Sequence, residues 1–112
     1  MQQTDAALRQ YYGTFNKHYF NGALPTGKGL DIGWVKRDRN GDEAWCYPSE
    51  NPVRVRLNAG LIVTVSQAAM ALLHEMAHIA VYMQGHKQAK HGPYFQMEML
   101  RLAMAGAFRI YW

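Results

Sequence analysis

Thr64-Val65-Ser66-Gln67-Ala68-Ala69-Met70-Ala71-Leu72-Leu73-His74-Glu75-Met76-Ala77-His78-Ile79-Ala80-Val81-Tyr82-Met83-Gln84-Gly85 is the stretch from which the rest of the chain can be placed. Thr64 and Gln67 have the spacing of a capping box, in which each side chain satisfies a backbone N–H that the first helical turn leaves free. Gly85 suits the left-handed position just past a helix end. The pattern therefore predicts a helix from Thr64 to about Gln84. From Ala68 to Met83 every side chain except His74, Glu75, His78 and Tyr82 is Ala, Leu, Ile, Val or Met. A helix that is apolar nearly all round is a buried one, so the other elements must cover it.

Those elements can be read outward from the helix. Val53, Val55 and Leu57 alternate with Arg54 and Arg56, the pattern of a half-buried strand. Leu30, Ile32 and Trp34 alternate with Asp31 and Gly33 and predict another. Asn40-Gly41 marks a turn, Glu43 to Tyr47 a returning strand, and Pro48 to Pro52 a loop. Upstream, Thr4 is placed to cap a helix running to Phe20, with Leu8, Tyr12, Phe15 and Tyr19 on one face and Asn21-Gly22 at its exit. Downstream, Pro93 suits the first turn of a helix running to about Ala105, before Gly106. The order is helix, three short strands, helix, helix. It predicts an α+β fold with a three-stranded, mainly antiparallel sheet. A chain of 112 residues is expected to form one domain over its whole length.

His74-Glu75-Met76-Ala77-His78 is an H-E-x-x-H segment. Helical positions four apart stand one turn above each other, so both imidazoles can address one ion. Glu75 falls beside that face, placed to take a proton from activated water. The competing reading makes the histidines hydrogen-bonded core residues and pairs Glu75 with a base. Burial counts against it, because two imidazoles and a carboxylate inside so apolar a helix need partners, and a cation supplies one.

A catalytic zinc usually takes three protein ligands and leaves a fourth position open. The metzincin pattern would need glycine and histidine where this chain has Val81 and Gln84, which excludes that class. His86, His91 and Glu98 remain as candidates. From His78 to Gln84 the helix climbs only about 9 Å, at roughly 1.5 Å per residue. The loop carrying His91 can return that distance, which ranks His91 first. Tyr82 and Tyr94 are candidates to steady an oxyanion, against the plainer reading that they pack or orient ligands.

Leu72-Leu73-His74-Glu75-Met76-Ala77-His78, followed by His91-Gly92-Pro93-Tyr94-Phe95, resembles the SprT-like (Spartan-type) metallopeptidase family. That family pairs a leucine-rich H-E-x-x-H helix with an H-G-x-x-F segment. Phe15 to Pro25 is similar to its first helix and exit, and Arg54 to Asn58 to the strand before its catalytic helix. The resemblance implies a zincin-like fold, Zn2+ held by His74, His78 and His91, Glu75 as catalytic base, and a protein or peptide substrate. It also implies a link to DNA, since known members degrade proteins trapped on DNA.

Composition bounds the alternatives. Cys46 is the single cysteine, which excludes an intrachain disulfide and a zinc ribbon within this sequence. A minimal family member without the ribbon is therefore expected. Met1 to Asp5 lacks the basic and apolar regions of a signal peptide, and the longest apolar run, Ala68 to Leu73, is too short to span a bilayer. The expectation is a cytoplasmic monomer with no membrane partner.

The net charge of +4 is compatible with an anionic partner without requiring one. Lys36, Arg37 and Arg39 flank the expected hairpin, Arg54 and Arg56 share a strand face, and Lys87 and Lys90 lie near the His91 loop. With Trp34 and Trp45 as stacking platforms, they are the candidate contacts to single-stranded DNA. A DNA-binding module with a non-catalytic zinc site is thus the alternative function. The competing reading of these residues is solvated charge and core aromatics. Phe108, Ile110, Tyr111 and Trp112 make the C-terminus apolar, and packing on the core is expected over a docking role.

Overall fold

Helix α1, Asp5–Tyr19, begins where Thr4 Oγ1 accepts the Ala7 N–H at 3.1 Å. The computed structural model that reveals this describes residues 4–36, 41–87 and 90–109. Leu8, Tyr12 and Phe15 form the buried face of α1, with Tyr19 half-buried against the same core. Asn16, also buried, works like a strip of backbone. Its side-chain N–H₂ donates to Leu24 O and its Oδ1 accepts from Leu24 N, both at 3.1 Å. Tyr12 adds a bond from its hydroxyl to Pro25 O at 2.7 Å. The chain leaving α1 is thereby tied back onto the helix, after Asn21 and Gly22 reverse it at positive φ.

A single 3₁₀ turn, Gly27–Gly29, leads into strands β1 (Leu30–Val35), β2 (Ala44–Tyr47) and β3 (Val53–Asn58). The sheet order is β1-β3-β2. β3 pairs parallel with β1, from Leu30↔Val53 to Val35↔Asn58, and antiparallel with β2, from Ala44↔Leu57 to Tyr47↔Arg54. The sheet is therefore mixed rather than mainly antiparallel, and β1 and β2 do not form a hairpin. Burial accounts for the order, since Val55 and Leu57 are wholly buried and Val53 nearly so. The strand with the most apolar surface to hide takes the centre, where neighbours cover both edges. Asn40 and the flanking Arg37 and Arg39 lie outside the described residues; Gly41 has φ +75°.

The two sheet edges differ. On β1, Trp34 N donates to Asp5 Oδ1 at 2.8 Å and Leu30 O accepts from Arg9 Nη2 at 3.0 Å, so side chains of α1 occupy the outer edge. Gly33 makes room for this, because a Cβ there would stand 3.1 Å from Asp5 Oδ2. On β2, no strand among the described residues pairs with the outer edge.

Helix α2, Val65–Met83, carries the predicted capping box: Thr64 Oγ1 accepts from Gln67 N, and Gln67 Oε1 accepts from Thr64 N, both at 3.1 Å. Gly85, at φ +95°, ends it as expected. Leu72, Leu73, Met76 and Ile79 are fully buried against the face of the sheet that bears Val53, Val55 and Leu57. Each such side chain contributes about 1.5–3 kcal/mol by leaving water. Helix α3, Pro93–Met104, closes the core through Phe95 and Leu102, and Phe108 packs in behind it. Ile110 to Trp112, expected to pack with Phe108, lie outside the described residues. No helix among the described residues is long and apolar enough to cross a membrane.

Candidate metal centre

His74 and His78 project from one face of α2, and His91 approaches them from the loop before α3. The three Nε2 atoms form a near-equilateral triangle with edges of 3.2 Å (His74–His91), 3.3 Å (His74–His78) and 3.1 Å (His78–His91). Nitrogens about 2.0–2.1 Å from a tetrahedral zinc stand about 3.3 Å apart, so the triangle has the dimensions of three zinc ligands. Hydrogen bonds alone account for it poorly, because each neutral Nε2 carries either a hydrogen or a lone pair, so at least one edge of the triangle joins two like atoms. Burial, reinforced by the neighbouring imidazoles, lowers the pKa of His78 to about 4 and also lowers that of His74. Their ring nitrogens consequently keep the lone pairs that a cation requires.

Phe95, in the first turn of α3, packs against all three rings of the triangle. Its ring stacks on His78 with centroids 4.2 Å apart and lies 4.9 Å from His74 and 5.0 Å from His91. Gln96 Nε2 donates to His91 O at 3.0 Å and anchors the loop from below. Rotation of any imidazole away from the cluster is thus opposed by packing.

A family model described as the SprT-like family matches residues 8–110. The chain belongs to the SprT-like family. No curated protein matches it. In this SprT-like chain the helix bearing His74 and His78 and the loop bearing His91 meet at one point.

Glu75 is buried beside the triangle and lines the same cleft. Burial raises its pKa to about 7, with the Cys46 thiol acting in the opposite direction and Asp42 adding to the rise. Cys46 Sγ lies 3.8 Å from Glu75 O, joining β2 to α2, and burial pushes its own thiol up. The cleft has a volume of about 770 Å³. Ala44 and Cys46 line one wall, Met70 and Tyr82 belong to α2, and Met99 and Phe108 close the far side.

The other candidate ligands stand elsewhere. Glu98 is buried in a two-pronged pair with Arg101, at 2.8 Å and 2.7 Å, and borders a second groove with Phe20 and Met83. His86 lines the main cleft but stacks flat on Tyr94, with centroids 3.6 Å apart and 9° between the rings. Of the two tyrosines considered for the oxyanion, Tyr82 lines the cleft, whereas Tyr94 serves as the platform for His86.

The basic residues divide rather than forming one rim. Lys87 and Lys90 border the cleft, and Lys87 Nζ sits 5.6 Å from the centre of the Tyr82 ring. Arg54 and Arg56 lie on the sheet face opposite α2, alternating with the buried Val53, Val55 and Leu57. Arg56 meets Asp31 at 2.9 Å, and Arg54 meets Glu50 at 3.2 Å and rests over the Tyr47 ring. Arg37 lies outside the described residues. Trp45 is buried, and the Trp34 indole N–H donates to Thr4 O at 3.2 Å, so neither is a free stacking platform. Phe95, Cys46 and Met99 are site residues that sequence reasoning assigned no role. Phe95 carried a signal in its fixed distance from His91, but the other two became neighbours only through folding.

Proposed function

We propose that this SprT-like chain is a zinc-dependent peptidase with Glu75 as its general base. The observation that carries the reading is the triangle of His74, His78 and His91 with a carboxylate on the same helix beside it. Three neutral imidazoles with an open fourth position are the donor set of a catalytic zinc. Such an ion supplies Lewis acidity and makes water acidic enough to lose a proton near neutral pH. Glu75 accepts that proton at its carboxylate and passes it to the departing amine nitrogen. Tyr82, which lines the cleft one turn beyond His78, would donate its phenolic hydrogen to the oxygen on which negative charge develops.

β2 supports an extended peptide as the substrate. Asn58 N donates to Glu43 O at 2.7 Å, which sets the antiparallel ladder so that odd-numbered residues bond inward to β3. Ala44 and Cys46 consequently turn their backbone N–H and C=O toward the open edge, where a substrate strand can pair with them beside Glu75. Most of a folded chain has its backbone groups already paired, so unfolded or loosened segments are the favoured substrates.

The test is Glu75→Gln, purified with its metal. Hydrolysis of an unfolded protein substrate should fall by about 10²–10⁴-fold, because the amide cannot accept the proton. Zinc content by elemental analysis should stay at the wild-type level. Undiminished turnover would sink the assignment, and loss of zinc would show that Glu75 holds the metal rather than the proton.

A further inference from the structure

The charges along the cleft are segregated, and the topology says in which direction. β3 runs through a short link at Asn58 to Thr64 into α2, so α2 travels back against β3 and alongside β2 in the same sense. Asp42 and Glu43, at the start of β2, therefore flank the end of the cleft that holds Met70 and Ala71 of α2. His86, Lys87 and Lys90 follow the last turn of α2 and flank the opposite end. Asp42, Glu43, Lys87 and Lys90 are all exposed, and none of them has an ion-pair partner among the described residues. Arg54, Arg56 and Arg101, away from the cleft, each meet a carboxylate, whereas Arg9, Lys17, Lys28 and Arg109 do not among the described residues, so it is the sorting by sign that sets the cleft apart. Four charges without an ion-pair partner among the described residues, sorted by sign at the two ends of one groove, have the form of a recognition pattern. The His86–Tyr94 stack also fixes the start of the loop that carries the lysines.

We infer that the cleft selects peptides by charge order, taking acidic side chains on the N-terminal side of the scissile bond and basic ones on the C-terminal side, with Lys87 and Lys90 as the main specificity determinants. This rests on the reading of the cleft as the seat of an extended peptide on β2. A substrate strand pairs with β2 in the antiparallel sense, the more stable one. Its N-terminal half then lies beside Lys87 and Lys90 and its C-terminal half beside Asp42 and Glu43. A chain of the opposite charge order places like charges together at both ends, and that repulsion excludes it.

Binding, measured apart from cleavage, tests this. Two fluorescent peptides of identical composition are titrated by anisotropy, at low ionic strength, into zinc-loaded Glu75→Gln protein. One carries glutamates before a central Ala-Leu and lysines after it; the other has the reverse order. The first should bind roughly three- to tenfold more tightly, the scale of one or two exposed ion pairs. The preference should shrink with added salt. In Lys87→Glu/Lys90→Glu, checked for wild-type zinc content and circular dichroism, the preference should disappear, because both ends of the cleft are then acidic and each peptide meets one attraction and one repulsion.

With both lysines in place, equal affinities, the opposite preference, or no binding of either peptide would overturn the inference. So would a preference untouched by the double substitution. If charge reversal instead abolishes binding of a single-stranded oligothymidylate while the peptides are held without regard to order, the lysines belong to a nucleic-acid surface and the inference falls. Failure of the wild-type enzyme to cut either peptide, with the binding preference intact, would refute the peptidase reading and uphold the charge selection.

Discussion

His91 is joined to α2 by a loop, yet its Nε2 sits as close to His74 and His78 as those two sit to each other. A side chain on a loop pays more entropy to be held than one on a helix, and here Phe95 and Gln96 supply the restraint. His91→Ala should therefore lower zinc affinity by at least about 10²-fold in competition with a chelator, since a two-histidine site loses one of only three protein ligands. Glu98→Ala should retain full zinc and lose stability instead, because Arg101 is left without its partner. The reverse pattern would show that the ligand set is wrong. The H-E-x-x-H half of the site was legible because helical geometry brings positions four apart together without help from the rest of the fold. The third histidine was not fixed by spacing: reach ranked His91 ahead of His86 and Glu98, and the family resemblance supported it.

Helices were easier to read than strands, and their caps explain why. Thr64, Gln67 and Gly85 act on backbone groups within one or two turns, so α2 announces its own ends. Thr64→Ala should cost about 1 kcal/mol in urea unfolding. Asn16 should matter more, although nothing in its local sequence says so. Its amide holds both backbone groups of Leu24 out of contact with water. Asn16→Leu leaves that N–H and C=O buried without partners and should cost about 2–4 kcal/mol. A loss no larger than that of Thr64→Ala would mean that the exit from α1 is held by Tyr12 alone. The strands lacked such self-contained signals: alternation in Leu30–Val35 and Val53–Asn58 marked them as strands but said nothing about which would lie side by side.

At the scale of the whole molecule, the two faces and two edges of the sheet have separate duties. One face and the β1 edge are sealed by the helices, the β2 edge borders the cleft, and the outer face carries the Asp31, Arg54 and Arg56 cluster. Asp31 lies in the register Asp31↔Arg54, so its bond to Arg56 braces the parallel β1–β3 pairing. The hydrogen bond from Arg56 holds the Asp31 carboxyl below the usual carboxylate range. A depressed folded-state pKa gives stability that is present above the unfolded value and is lost as pH falls through the folded one. Asp31→Asn should thus cost about 0.5–1 kcal/mol at pH 7, a surface-pair magnitude because Asp31 is half-exposed. The gap to wild type should close as pH drops through and below the ordinary carboxylate range. A gap that persists at low pH would show that the asparagine disturbs packing rather than charge.

By itself, the sequence was sufficient for the elements that depend on near neighbours. These were the three helices with their caps, the presence of three strands, and a buried helix bearing two imidazoles and a carboxylate on one side. Only the tertiary structure decided the partners. β3 took the centre of the sheet because Val53, Val55 and Leu57 had the most to gain from cover on both sides, and no local turn signal can report that balance. The Glu98–Arg101 pair is local, three residues apart on one helix, whereas the same long-range packing sent Arg54 and Arg56 to the face away from the cleft. It also brought His91 over Phe95 to the other two histidines. Spacing along a chain is a local quantity, whereas a metal site assembled from a helix and a loop depends on where the intervening backbone turns, which the core determines.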